Sequence, residues 1–210
     1  MRLEHLNIII NVLLDLKFTL IGSEGLNNIS QLLTKVKENK VRGAFVEAGV
    51  WRGGASIFAR ALMDHLEMDE TVYVCDSFEG LPKAEWSGDE GDKHFMSKEL
   101  AVSLSTVKEN FGYFPLKGEV KYVKGLFKDT MPQLGKEIGP ISVLRVDADM
   151  YEGTTQVLEN LYDKVSEGGF VIADDYGLPN AKLAVDNFRE RRGIINPIIR
   201  VNSCIHYWQK

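Results

Sequence analysis

Apolar residues recur along this chain in short runs, which alternate with longer stretches of helical periodicity. Runs of strand length, rich in Val, Ile and other apolar residues, occupy residues 44–50, 71–77, 120–127, 141–147 and 169–174. Helical patterns lie between and after them, over residues 55–66, 98–111, 129–137, 154–165 and 180–191. Strands separated by helices in this way are typical of βαβ units. The pattern therefore predicts an α/β fold built on a parallel sheet.

The two ends of the chain and one internal segment depart from this alternation. Residues 197–203 and 204–209 are two strand-like runs joined by a tight connection, which predicts an antiparallel hairpin. Residues 79–98 are polar and without periodicity, a composition typical of a lid or binding loop. Residues 6–20 are apolar but interrupted by polar side chains, and they are too short to span a bilayer. We expect residues 1–40 to form a helical segment that packs on a domain of residues 41–210, or on a second subunit.

Composition narrows the class of protein. The chain has 210 residues, enough for one domain with a sizeable core, and a net charge of −5. It has no dense Lys/Arg patch, so a nucleic-acid partner is not expected. It also lacks the basic start and small-residue cleavage site of a signal peptide, and we expect a cytoplasmic protein. Cys75 and Cys204 lie in strand-like runs, which favours two buried free thiols over a disulfide.

A glycine-rich turn follows the first predicted strand, in the sequence EAGVWRGGAS. In an open α/β sheet this turn lies at the carboxyl edge, where ligands bind, and glycines let the backbone approach a ligand closely. Glu47 precedes Gly49 by two residues, and Gly53 follows. A carboxylate there would repel the pyrophosphate of a dinucleotide but suits an ammonium group. This charge argument favours S-adenosyl-methionine, which carries an amino group and a sulfonium.

Asp76 ends the second predicted strand, where a carboxylate can accept both ribose hydroxyls of an adenosine. That position suits NAD equally well, and a surface carboxylate at a strand end is the plainer alternative. The predicted cofactor-binding residues are Glu47, Gly49, Val50, Trp51, Gly53, Asp76, Ser77, Gly125 and Leu126.

Acidic residues end the fourth and fifth predicted strands: Asp147 and Asp149 end the fourth, and Asp174 and Asp175 the fifth. If these strands are neighbours, about 5 Å apart, the carboxylates converge at one edge of the sheet. So many carboxylates require a counter-charge or protonation, and oxygen ligands without His or Cys point to Mg²⁺. Capping of a helix by Asp149 and a turn at Asp175 are compatible alternatives.

A metal beside a methyl donor would lower the pKa of a substrate hydroxyl, and one Asp of the cluster would take its proton. Two further residues are weaker candidates for the site. His94 lies in the predicted lid, where it would contact substrate or act as the base. Gln209 lies on the last predicted strand, where it would face the substrate.

Several of these motifs together resemble the macrocin O-methyltransferase family, over residues 45–209. The similarity is carried by FVEAGVWRGGAS, VYVCDSFEGLP, DKHF, LRVDADMYEGTTQVLENLY, GGFVIADDYG and YWQ. That family methylates sugar hydroxyls in macrolide and aminocoumarin pathways and in related glycans. The resemblance implies a class I methyltransferase fold, Rossmann-like, with seven mostly parallel strands, an antiparallel last strand and helices on both faces. It also implies Mg²⁺ bound by Asp147, Asp174 and Asp175, Asp147 as the base, ribose bound by Asp76, and a homo-oligomer.

The sequence thus predicts a Mg²⁺-assisted O-methyltransferase that uses S-adenosyl-methionine and acts on a hydroxyl of a small polar substrate, a sugar by the family resemblance. A catechol-type O-methyltransferase, an NAD-dependent oxidoreductase and a non-catalytic adenosyl-binding module are the alternatives. The chain has no compact G-x-G-x-x-G, and Glu47 lies where it would repel a pyrophosphate, so both features argue against the oxidoreductase. The full set of acids at the strand ends argues against the non-catalytic adenosyl-binding module.

Overall fold

The strand order of the sheet is β3-β2-β1-β4-β5-β7-β6 in a computed structural model that describes residues 3–85, 89 and 96–210. Strands β1 to β5 are parallel, whereas β7 runs antiparallel to both β5 and β6. In the described ranges the strands are β1 Ala44–Ala48, β2 Val72–Asp76, β3 Val120–Lys124, β4 Ile141–Val146, β5 Val165–Ala173, β6 Ile199–Arg200 and β7 His206–Gln209. The predicted α/β sheet with an antiparallel last strand is confirmed.

Helices cover both faces of the sheet. They are α1 Leu3–Asp15, α2 Gly22–Glu38, α3 Gly54–His65, α4 Leu104–Gly112, α5 Phe127–Glu137, α6 Tyr151–Leu161 and α7 Pro179–Arg191, with short 3₁₀ turns at Lys98–Leu100 and Tyr162–Lys164. Strand side chains point alternately to the two faces, so Phe45 joins the core under α1 to α4 and Val46 joins the core under α5 to α7. No helix of the described ranges is long and apolar enough to cross a membrane.

The predicted helix over 98–111 is wrong at its start. Ala101 adopts an extended backbone, and α4 begins after Ser103, whose hydroxyl accepts the backbone N–H of Thr106 at 3.1 Å. This N-cap hydrogen bond satisfies one of the backbone N–H groups in the first turn of α4 that have no partner within the helix. The prediction of two buried thiols holds for Cys75 only, because Cys204 lies exposed in the turn that joins β6 to β7.

The strand order reverses direction between β1 and β4. From β1 the chain proceeds to β2 and β3 on one side, and later to β4 and β5 on the other. The loops that follow β1 and β4 therefore leave the carboxyl edge in opposite directions and open a crevice between them. Ligands of open α/β sheets bind at this switch point.

Candidate active site

A cavity of about 400 Å³ opens at the carboxyl edge of the sheet. Its walls include eight of the nine predicted cofactor-binding residues: Glu47, Gly49, Val50, Trp51, Asp76, Ser77, Gly125 and Leu126. They also include the acids that follow β4 and β5, which are Asp147, Asp149, Asp174 and Asp175. The remaining predicted residue, Gly53, lies at the start of α3 with φ +84° and packs near Phe111, outside the cavity wall. One cavity thus brings the predicted cofactor loop and the predicted metal ligands together.

Asp76 organises the loops that form the donor side of the cavity. Its Oδ2 accepts the backbone N–H of Val50 at 2.8 Å, and its Oδ1 accepts that of Phe78 at 2.7 Å. Burial raises the pKa of Asp76, while these backbone N–H groups oppose the shift. Its backbone carbonyl also accepts the N–H of Gly125 at 3.0 Å. Asp76 therefore fixes the loop after β1 as well as lining the space where a ribose is predicted.

The acids of β4 and β5 converge as the sequence predicts, because these two strands are neighbours. Asp147, Asp174 and Asp175 each offer an oxygen, and the three oxygens lie within 4.8 Å of one another. Asp175 Oδ2 also accepts the backbone N–H of Asp149 at 2.8 Å. Asp149 itself has φ +59°, a left-handed backbone that turns the chain sharply between β4 and α6.

The residues fit a divalent cation. Two oxygens that bind one Mg²⁺ at about 2.1 Å lie at most about 4.2 Å apart, so small side-chain movements would bring the three carboxylates into range. The Oδ1 atom of Asp174 is buried and accepts no hydrogen bond, although Arg145 Nη2 lies 2.6 Å away without hydrogen-bond alignment. An oxygen-only donor set, in which one buried oxygen has an ion pair but no aligned hydrogen bond, is suited to a hard ion such as Mg²⁺.

Burial and mutual repulsion oppose charge on these acids. Burial raises the pKa of Asp174 to about 7, with Arg145 opposing the shift. The pKa of Asp175 is also raised well above its usual value, first by burial and then by the charges of Asp147, Asp149 and Asp174. Arg145 supplies a counter-charge to this cluster, and the raised pKa values favour protonation of the acids as a further compensation when no cation is bound.

Sequence reasoning missed Arg145, which is fully buried in the middle of the site. Its Nη1 lies 2.5 Å from Glu47 Oε1 and 2.7 Å from Asp147 Oδ2. Burial would lower the pKa of Arg145, but the charges of Asp174, Asp147 and Glu47 outweigh burial and raise it. A signal was present in the sequence, since Arg145 is a basic residue inside an otherwise apolar strand, two positions before Asp147.

Strand register explains why these groups meet. Glu47 and Arg145 are paired positions on the adjacent parallel strands β1 and β4. Side chains alternate along a strand, so both lie on the face that carries Phe45 and Val143 in the core under α1 to α4. Ser56 of α3 approaches from the same side and donates its hydroxyl to Glu47 Oε2. Burial raises the pKa of Glu47 to about 7, with Arg145 and then Ser56 opposing the shift.

Of the two predicted substrate contacts, Gln209 lies away from the cavity and His94 lies outside the described residues. Gln209 lies at the opposite edge of the sheet, where it pairs with Phe170 and donates to the carbonyl of Gly168 at 3.0 Å. Because β7 runs antiparallel, its first residue reaches the carboxyl edge and its last residue points away from it, so the prediction for Gln209 is not supported. His94 falls outside the described residues, as does most of the predicted lid beyond Glu85.

Other segments of the cavity wall carried no recognisable pattern in the sequence. The connection between α1 and α2 contributes Thr19, Leu20 and Ile21, and the turn between β6 and β7 contributes residues 202–205. Both come from the helical and hairpin ends of the chain, and neither carries a sequence motif that identifies what it would contact.

A seven-stranded sheet of this order, with antiparallel β7 and a ligand cavity at the switch point, defines a class I methyltransferase. The family described as Macrocin-O-methyltransferase (TylF) matches residues 14–210. The chain belongs to this family and is an O-methyltransferase. The predicted family is confirmed.

Characterised relatives agree with this placement. The chain is 43% identical over 199 residues to demethyldecarbamoylnovobiocin O-methyltransferase of Streptomyces niveus, covering 91% of this chain and 75% of that protein. It is 40% identical over 197 residues to 8-demethyl-8-(2,3-dimethoxy-alpha-L-rhamnosyl)-tetracenomycin-C 4'-O-methyltransferase of Streptomyces olivaceus, covering 91% and 75%. The solved structure of the O-methyltransferase NovP superposes with a TM-score of 0.87 at 42% identity, covering 91% of this chain and 81% of that one.

Proposed function

We propose that this chain transfers the methyl group of S-adenosyl-methionine to a sugar hydroxyl of a glycosylated or nucleotide-linked small molecule, with Mg²⁺ at the acidic cluster. The observation that carries the proposal is the convergence of Asp147, Asp174 and Asp175 beside the loop after β1, within one cavity. The sugar acceptor is supported by the relatives, one of which is named for a rhamnosyl tetracenomycin C.

The chemistry needs few protein groups. The S–CH₃ bond of the donor breaks as a bond forms between the methyl carbon and the hydroxyl oxygen, and S-adenosyl-homocysteine is left. Asp147 takes the hydroxyl proton, since it lies in the cavity wall and offers an oxygen to the acidic cluster. Mg²⁺, when bound, acts as a Lewis acid that lowers the pKa of the acceptor hydroxyl. Asp147, Asp174 and Asp175 would hold it.

The donor would lie across the loop after β1. Asp76 and Ser77 would face the ribose, and Gly125 and Leu126 would form the adjacent wall at the start of α5. Gly49 leaves room for the backbone to approach the donor closely, because it carries no side chain. In this arrangement the sulfonium would lie between the ribose end and the acidic cluster, within reach of an acceptor bound at that cluster.

Methyl transfer to a panel of glycosides, nucleotide-linked sugars and catechols tests the proposal, with Mg²⁺ or excess EDTA in parallel. We expect methylated glycoside or nucleotide-linked sugar with Mg²⁺ and none with EDTA. The Asp174→Asn variant should lose this turnover, while Asp163→Asn, a surface change at the opposite edge of the sheet, should retain it. Methylation of catechols alone would replace the sugar acceptor, and full activity in EDTA would remove the metal from the proposal.

A homo-oligomer stays a prediction, and two exposed apolar residues near the N-terminus support it. Ile8 of α1 is 56% exposed and Leu16, which follows that helix, is 47% exposed. Both would be covered if this end of the chain met a second subunit. Light scattering after size exclusion measures the assembly directly.

A further inference from the structure

Arg145 connects the donor side of the cavity to the acidic cluster through a single guanidinium. Its Nη1 contacts Glu47 of β1 at 2.5 Å and Asp147 at 2.7 Å, and its Nη2 contacts Asp174 at 2.6 Å. A guanidinium is a planar, rigid fork, so holding one of its nitrogens restricts the directions in which the others can bond. Arg145 therefore restricts Asp147 through a hydrogen bond and holds Asp174 beside it through an ion pair, and both carboxylates would bind the metal.

We propose that Arg145 is a positioning residue, which orients Asp147 and Asp174 for metal binding, and that Glu47 acts by holding Arg145. This inference rests on the proposed function, since it assigns a role within the same metal site. Neither Arg145 nor Glu47 is a metal ligand in it.

The surroundings of Glu47 support its part in the inference. Both carboxylate oxygens are engaged inside the protein, Oε1 by Arg145 and Oε2 by the Ser56 hydroxyl. The side chain of Glu47 is almost completely buried, at 2% exposure. Its carboxylate thus belongs to a network that joins α3, β1, β4 and β5. The sequence predicted that Glu47 contacts the ammonium group of the donor. Because both oxygens of Glu47 already have partners inside the protein, fewer of their lone pairs are available for that contact.

A purely electrostatic role for Arg145 makes a different prediction. If the guanidinium only neutralised the acids, it would compete with a divalent cation for Asp147 and Asp174, and its removal would tighten metal binding. If it positions them, the loss of its fork geometry weakens metal binding even when the positive charge is kept. The Arg145→Lys variant separates the two roles, because lysine keeps the positive charge but lacks the planar, forked geometry of the guanidinium.

The test is a titration of the metal-free protein with Mn²⁺, an ion that also prefers oxygen ligands. Binding is measured from the loss of the spectroscopic signal of free Mn²⁺. We expect Arg145→Lys and Glu47→Gln each to weaken Mn²⁺ binding by about 10–100-fold, the usual effect of losing a group that orients a ligand. Binding of S-adenosyl-homocysteine to Arg145→Lys should stay near the wild-type value. Combined in one chain, the two changes should weaken Mn²⁺ binding no further than Arg145→Lys alone.

Arg192→Lys is the matched control, since Arg192 also pairs with an aspartate, Asp163, but is exposed at the opposite edge of the sheet and should leave Mn²⁺ binding unchanged. Wild-type or tighter Mn²⁺ binding by Arg145→Lys overturns the inference, as do additive losses in the double variant. If Arg145→Lys does not fold, Glu47→Gln alone decides, and unchanged Mn²⁺ binding there has the same consequence. A wild-type chain that binds no Mn²⁺ overturns the metal in the proposed function as well, which distinguishes the two failures.

Discussion

Gly49 lies directly against the backbone of Asp147, so that a Cβ atom on Gly49 would be 1.6 Å from the carbonyl oxygen of Asp147. The loop after β1 is thereby packed onto the end of β4. Gly49 also has φ +91°, a backbone conformation that residues with a side chain rarely adopt. This contact brings the predicted donor loop and the acidic cluster into one cavity.

Replacing Gly49 should therefore be costly. We expect Gly49→Ala to lower the free energy of unfolding by about 2–5 kcal/mol, the sum of a left-handed backbone cost of about 1–2 kcal/mol and an overpacking cost of about 1–3 kcal/mol. Urea denaturation measures the change. Gly112→Ala is the matched control, because a Cβ at the end of α4 meets no atom within 4 Å. Equal stability of the two variants would contradict this account of Gly49.

Asp76→Asn should weaken the binding of S-adenosyl-homocysteine, since the variant loses the charge that is proposed to accept the ribose hydroxyls and that accepts the N–H groups of Val50 and Phe78. Hydrogen bonds to a charged group contribute about 1.5–3 kcal/mol, which corresponds to an affinity loss of about 10–100-fold. Calorimetry measures this affinity. Asp69→Asn, a change at an exposed position before β2, should bind as the wild type does. An unchanged affinity in Asp76→Asn would argue against the ribose role.

The acidic cluster predicts how stability depends on pH. Because burial raises the pKa of Asp174 to about 7 and that of Asp175 well above its usual value, the folded chain holds protons that the unfolded chain has released. Their stabilising contribution is present below the unfolded pKa of about 4 and is lost as the pH rises through 7 and beyond. The Tm of the metal-free protein should therefore fall between about pH 5 and pH 8.

Asp175→Asn tests the source of this slope. The amide keeps an acceptor for the N–H of Asp149 but cannot ionise, so the fall in Tm with pH should be shallower than in the wild type. Added Mg²⁺ should flatten the wild-type profile, since the cation replaces the protons. Parallel profiles for wild type and variant in EDTA would show that the cluster does not titrate as described.

Asp89 caps the N-terminus of α6, although it lies outside that helix in the sequence. Its carboxylate accepts the backbone N–H groups of Tyr151 and Glu152, both at 3.2 Å, and the side-chain amide of Asn180 at 2.8 Å. Removing a capping side chain costs about 1–2 kcal/mol, and Asp89 is fully buried, so that its loss removes three hydrogen bonds inside the protein. We expect Asp89→Ala to destabilise the chain more than Ser103→Ala, which removes the exposed cap of α4. Urea denaturation of both variants compares them, and an equal or smaller effect at Asp89 would contradict the prediction.

The site shows where inference from sequence succeeds. The convergence of Asp147 with Asp174 and Asp175 was predictable, because strand ends and consecutive βαβ strands are local features of the pattern. The α/β class followed from the alternation of short apolar runs with helical stretches. The boundaries of α4 were less predictable, since one hydroxyl, that of Ser103, decided where the helix began.

The sequence by itself thus determined the order of strands and helices, the glycine loop after β1 and the positions of the acids at strand ends. Only the tertiary structure decided what these acids contact. The pairing of Glu47 with Arg145 depends on the register of two strands about 100 residues apart, and register is set by packing across the whole sheet. The position of Gln209 depended likewise on the direction of β7, which carried its last residue away from the site. Long-range contacts of this kind leave no local pattern, so the sequence shows Arg145 as a basic residue inside an apolar strand but does not show which residues it contacts.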